Sequence, residues 1–81
     1  MQKLRIHIAL KKGVLDTQGK AIESAINKNL GYNQISNVRQ GKFIDLDIAE
    51  TDPNAIKQIV EDICNKLLVN GVIENYSYQI I

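Results

Sequence analysis

The side chains that could support chemistry in this chain are few and scattered. There is one histidine, His7, and one cysteine, Cys64. His7 stands among cations in LRIHIALKK with no second histidine or cysteine beside it, whereas a zinc site normally takes three or four such ligands. It reads as a solvated or interface histidine. Cys64 cannot form an internal disulfide and lies in a helical apolar pattern, where a free cysteine behaves as a small buried hydrophobe; this suits a reducing compartment. Asp45 and Asp47 are the nearest thing to paired carboxylates. They share one strand face, have no histidine or cysteine motif beside them, and read more simply as charge partners for Lys3 and Arg5. Gly13 and Gly19 flank the first strand-to-helix connection, but their spacing fits neither the dinucleotide fingerprint nor the P-loop. Gly19 is followed by Lys20 and Ala21 in place of a GK[ST] triplet. Tyr76 and Tyr78, two residues apart, could stack nucleobases, yet the basic and glycine-rich surroundings of RNA-binding modules are missing. No catalytic, cofactor-binding or metal-binding residue is expected here, and function has to come from association.

The elements that position these residues follow from periodicity. Between Asn37 and Ala49, Val38, Ile44, Leu46 and Ile48 fall on even positions, while Arg39, Phe43, Asp45 and Asp47 fall on odd ones, which is a strand signature. Gly41 interrupts it. A two-residue turn at Gln40 and Gly41 would put Val38 opposite Phe43 on the wrong face, so parity favours a wider turn or one long strand bent at the glycine, either of which keeps Val38 with Ile44. A bent strand that leaves its own sheet could pair with another subunit. Lys3 to Lys11 alternates in the same way, with Leu4, Ile6, Ile8 and Leu10 on one side and Lys3, Arg5 and His7 on the other. A final strand is expected from about Val72 to Ile80.

Two helices lie between the strands. The first is predicted over 17–30, with Asp16 as N-cap, a stripe of Ile22, Ala25, Ile26 and Leu30, and Gly31 as the terminating glycine. The second opens at Asp52 and Pro53, carries Ile56, Ile59, Val60, Ile63 and Leu67 widened by Cys64 and Leu68, and closes at Asn70 and Gly71. Two amphipathic helices on one face of an antiparallel sheet give an α+β two-layer sandwich of ferredoxin-like type, in the order strand, helix, strand or hairpin, helix, strand. The other sheet face carries Lys3, Arg5 and His7 opposite Asp45 and Asp47, with Ala9, Phe43 and Ala49 between them. Its few apolar groups suit contact with another subunit.

At 81 residues the chain has room for one core, so residues 1–81 are one domain. Ten basic and nine acidic residues leave a formal charge of +1, spread along the chain, which gives nucleic-acid binding little support. No apolar run approaches the ~20 residues of a membrane span, and MQKLRIHIALKK lacks the apolar region of a signal peptide, so a cytoplasmic location is expected.

Three stretches, GVLDTQGKAI (Gly13 to Ile22), VRQGKFIDLDI (Val38 to Ile48) and KLLVNGVIENY (Lys66 to Tyr76), stand in an order and at a spacing that resemble the PurS family, the small subunit of phosphoribosylformylglycinamidine synthase in de novo purine biosynthesis. The resemblance covers essentially the whole chain. Two positions depart from the family pattern: Thr17 stands where proline commonly follows the aspartate, and Gly71 where proline commonly follows the asparagine. Each puts a freer residue at a helix end.

The resemblance implies a subunit without catalytic residues, a homodimer or tetramer that brings together the ATP-dependent synthetase subunit (PurL) and the glutaminase subunit (PurQ). Ammonia released from glutamine must pass between them. ATP, Mg and glutamine would then be used by the partner subunits, with no cofactor in this chain and no nucleic-acid or membrane partner. Arg39, Gly41 and Lys42 at the bend are the expected partner or oligomer contacts. Phe43 and His7, on the outer sheet face, join them on periodicity alone. Two other readings compete at the level of fold. An ACT-like regulatory domain would bind a small molecule near the turn after strand one, where Gly13 lies. An acylphosphatase-like hydrolase would need an arginine in that loop, and KKGVLDTQG has none.

Overall fold

The computed structural model describes residues 1–81. Strand β1 (Gln2–Leu10) is central, flanked by β2 (Gly41–Ile48) and β3 (Glu74–Ile80), both antiparallel to it. Alternation decides the faces: Leu4, Ile6 and Ile8 are at most 1% exposed, while Lys3, His7 and Ala9 on the opposite face are open to solvent. Helices α1 (Thr17–Asn29) and α2 (Pro53–Ile63) complete the α+β architecture.

Each helix begins where its capping chemistry predicts. Asp16 accepts a hydrogen bond from the Gly19 amide, and Asp52 accepts one from Asn54 with Pro53 in the first turn. At the far end of α1 the Leu30 amide returns to the Ile26 carbonyl, and Gly31 takes φ +77°, a left-handed value that glycine adopts without penalty.

The core is formed by β1 and α2, with one residue from β2. Ile56, Val60 and Cys64, four residues apart, lie over Leu4, Ile6, Ile8 and Ile48, and Tyr76 and Tyr78 of β3 pack half-buried at the edge. Burying each of the larger aliphatic side chains is worth about 1.5–3 kcal/mol. The expected stripe of α2 needs one correction, because the helix does not keep its period. Residues Cys64–Leu68 form a π-turn in which the Val69 amide reaches back five residues to the Cys64 carbonyl at 3.0 Å. The wider turn shifts the phase, so that Leu68 packs on the core and Leu67 is left 81% exposed. Ile59, at 40% exposure, also lies outside the buried line. The last strand starts two residues later than expected, at Glu74. The Asn70 carbonyl takes the amides of both Ile73 and Glu74 and turns the chain there.

The segment before β2 also departs from the parity argument. Asn37 has φ +55°, and the Val38 amide donates to the Glu23 carboxylate on α1, so the Val38 backbone is tied to the helix and lies outside the ladder that carries Ile44. No hairpin forms at Gln40 and Gly41. The ladder begins at Gly41, paired with Ala9, where a Cβ would stand 2.8 Å from the Ile8 carbonyl oxygen. Close approach of the two backbones accounts for the glycine.

Only α2 covers the sheet. No side chain of α1 belongs to the core or packs against it, and Ile22 and Leu30 are 39% and 68% exposed. The helix is instead backed by the returning chain, with Asn27 donating to the Ile35 carbonyl and Glu23 holding Val38. Residues 17–40 thus form an arm. The molecule measures 49 × 26 × 16 Å with a radius of gyration of 16.2 Å, well above the about 12 Å of a compact chain of this length.

Candidate functional site

The structure distributes the five expected contact residues over two neighbouring places. His7 and Phe43 face each other across β1 and β2 on the outer sheet face, in register, with ring centroids 6.2 Å apart. Arg5, the next outward residue of β1, stacks its guanidinium 4.6 Å above the Phe43 ring and donates two hydrogen bonds, of 2.8 and 2.9 Å, to the Asp45 carboxylate. These bonds hold the Asp45 carboxyl below the usual carboxylate range and the Arg5 guanidinium above its own. Lys3 stands opposite Asp47 in the same ladder. Of the charge pairing anticipated from strand parity, the Arg5–Asp45 ion pair forms, while Lys3 and Asp47 share the register without closing one, and Phe43, 56% exposed, is left as the large apolar group of this face.

Gly41 and Lys42 sit where the outer face meets the root of the arm. They line a shallow hollow of about 220 Å³ with His7, Ala9 and Phe43. They also line a cavity of about 310 Å³ between the end of β1 and the start of α1, together with Leu10, Leu15, Thr17 and Gln40. Arg39 lines neither hollow. Its guanidinium is turned onto its own chain, donating to the Val14 carbonyl at 2.9 Å and the Lys11 carbonyl at 3.2 Å.

Asp16 is the residue whose full role the sequence did not disclose. Beyond capping α1 through Gly19, its second oxygen accepts the Gln40 amide at 2.6 Å, and the side chain is 4% exposed. The amides of Gln40 and Gly19, with Arg39 nearby, hold its carboxyl below the usual range. The available signal was the glycine three residues after the cap, since the capping pattern alone does not ask for a glycine there. A Cβ on Gly19 would meet the Val38 carbonyl and the Asp16 carboxylate. Cys64 is fully buried, and burial pushes its thiol up, which disfavours the thiolate a nucleophile requires. No helix is long and apolar enough to cross a membrane.

The exposed arm completes the surface. Ile22, Leu30, Tyr32 and Ile35 are between 38% and 68% exposed, and they belong to one helix and the chain that returns along it. Apolar groups grouped in this way mark interaction surfaces more often than isolated ones do.

Comparison with known proteins agrees with this geometry over the full length of the chain. The family model PurS, described as phosphoribosylformylglycinamidine (FGAM) synthase, matches residues 3–81. The chain is 39% identical over 80 residues to the phosphoribosylformylglycinamidine synthase subunit PurS of Bacillus subtilis strain 168, covering 99% of this chain and 93% of that protein. The crystal structure of Methanocaldococcus jannaschii PurS, one of the subunits of formylglycinamide ribonucleotide amidotransferase in the purine biosynthetic pathway, superposes with a TM-score of 0.86 at 41% identity, covering 100% of this chain and 96% of that one. A chain in the structure of PurLQS from Thermotoga maritima gives 0.88 at 29% identity, covering 99% and 96%. With both sequence and backbone matched from end to end, this chain belongs to the PurS family.

Proposed function

We propose that this chain is the small, non-catalytic subunit of a cytoplasmic phosphoribosylformylglycinamidine synthase. In this reading it acts as a homodimer, or a pair of dimers, that holds a synthetase subunit and a glutaminase subunit so that ammonia passes between them. The observation that carries the reading is the match, over residues 3–81, to a family whose relatives are named as subunits of that enzyme. The architecture supports it, because an arm with an apolar stripe facing solvent needs a second surface, and another copy of the chain offers one.

The polar groups support a role without chemistry of its own. Asp45 is occupied by Arg5, Asp16 by two backbone amides, and the Cys64 thiol is buried. ATP with its magnesium and the glutamine would be handled by the larger subunits. The contribution of this chain is placement: two active sites held together exchange a small product at high effective concentration, where free subunits would lose it to solvent.

Reconstitution tests the proposal. The chain is mixed with a synthetase and a glutaminase of this enzyme, and turnover is measured with glutamine and, separately, with ammonium. Glutamine-dependent turnover that needs this chain, alongside ammonium-dependent turnover that does not, supports placement. Glutamine-dependent turnover of equal rate in its absence rejects it.

A further inference from the structure

The arm meets the sheet through polar contacts, and we propose that Asp16 and Arg39 lock this root. They act as positioning residues that hold α1 at a fixed angle to the sheet and so set where a second copy docks. The docking half of the statement rests on the homodimer reading above.

Apolar packing does not fix that angle, since no α1 side chain reaches the core. The chain crosses the root twice, outward through residues 11–16 and back through residues 38–40, and the lock ties these passes together from both directions. From the outward pass, the Asp16 carboxylate takes the Gly19 amide at 2.8 Å and the Gln40 amide of the returning pass at 2.6 Å. From the returning pass, Arg39 donates to the carbonyls of Val14 and Lys11 on the outward one. The Lys11 amide in turn donates to the Ile73 carbonyl at 2.8 Å, which fastens the root to the loop before β3.

Chemistry matches geometry at each position. A carboxylate 4% exposed needs hydrogen bonds and a neighbouring cation to stay charged, and it has both. A guanidinium reaches two carbonyls at once because its donors fork. Gly19 lets the Val38 carbonyl close over the helix start, and the Glu23 bond to the Val38 amide holds the next turn. Without the carboxylate, the Gly19 and Gln40 amides lose their acceptor and the outward and returning passes are free to separate.

The test is amide hydrogen exchange on the full chain in dilute solution, comparing wild type with Asp16→Ala, Asp16→Asn and Arg39→Ala. Exchange over residues 17–40 is expected to rise by at least about tenfold in Asp16→Ala while β1 and α2 keep their protection. Asp16→Asn, which retains one acceptor oxygen, is expected to fall between. In the double variant Asp16→Ala with Arg39→Ala the increase should be smaller than the product of the two single ones, because both act on one joint. Unchanged exchange in the arm overturns the lock, and so does a rise shared equally by β1 and α2, which is general destabilisation.

Sedimentation of the same samples separates this outcome from the fate of the dimer reading. If wild type does not self-associate while the arm still responds, the dimer reading fails and the lock stands. If the arm loosens with no change in self-association, the docking half of the proposal falls.

Discussion

A methyl group placed on Gly19 would stand 2.5 Å from the carbonyl oxygen of Val38, across the gap between α1 and the chain that returns along it. Replacing glycine by alanine inside a helix ordinarily stabilises it, by roughly 0.5–1 kcal/mol. Here the neighbours of the new carbon include the Val38 backbone, which cannot rotate aside, so overpacking at about 1–3 kcal/mol wins. Gly19→Ala is therefore expected to lower the urea midpoint; a raised midpoint would contradict the contact.

The outer face predicts a dependence on acid. Hydrogen bonding from Arg5, the largest cause, lowers the Asp45 carboxyl in the folded protein, and the amides of Gln40 and Gly19 do the same for Asp16. Between the folded and unfolded pKa values the unfolded chain binds more protons, so stability rises with pH there. Both contributions are fully present above the ordinary carboxylate value of about 4 and are lost as pH falls through the lowered folded values. Asp45→Asn should flatten the acid limb of a plot of denaturant midpoint against pH while leaving the Asp16 part. Parallel limbs for wild type and variant would show that the ion pair adds nothing.

Cys64 offers a measure of how firmly α2 holds to the sheet. The thiol is completely buried, so an alkylating reagent reaches it only when the helix opens. Iodoacetamide is expected to react at least roughly a hundredfold slower than with the unfolded chain, the factor that an opening free energy of about 3 kcal/mol produces. Reaction at the unfolded rate would mean that α2 is not seated.

Charges on the arm should dismantle self-association without harming the monomer. Ile22 and Leu30 are already exposed within one copy, so the pair of changes Ile22→Asp and Leu30→Asp removes little intramolecular packing. If the arm buries these side chains against another copy, the dissociation constant rises by at least about a hundredfold, since burying charge in place of aliphatic surface costs several kcal/mol. Equilibrium sedimentation reads the result, and an unaltered mass would remove the arm from the interface.

The contacts with the larger subunits are probed at the root of the arm and on the outer sheet face. Arg39→Ala with Lys42→Ala, and separately His7→Ala with Phe43→Ala, leave every residue of the core in place. Each pair is expected to weaken assembly with synthetase and glutaminase by at least about tenfold, as loss of a central aromatic or arginine contact does in other interfaces. The arginine–lysine pair should also free the arm, which the outer-face pair should not. Unchanged glutamine-dependent turnover for both would place the partners elsewhere.

What could be seen in the sequence and what could not has a physical pattern. Asp16, Gly31 and the Asp52–Pro53 pair fixed three helix ends because capping is local, and parity assigned β1 correctly because Leu4, Ile6 and Ile8 on its inner face are buried. The π-turn left no trace, since Leu67 and Leu68 are equally apolar and only the hydrogen bond from Val69 decides which one turns inward. Val38 misled because alternation runs on by chance past Gly41 into a segment held by Glu23. The stripe of α1 was legible as a stripe, yet periodicity records that a face will be covered and not by which molecule. The outer-face pairing of Arg5 with Asp45 was visible, while the second hydrogen bond of Asp16 was not, because it joins residues 24 apart in the chain.

The outline of the molecule has a hydrodynamic consequence. A particle about three times as long as it is thin drags more solvent than a sphere of its 9.1 kDa. One copy therefore leaves a sizing column early, at the volume of a heavier globular standard, and imitates a pair. Light scattering, which weighs particles whatever their outline, separates a lone copy from two.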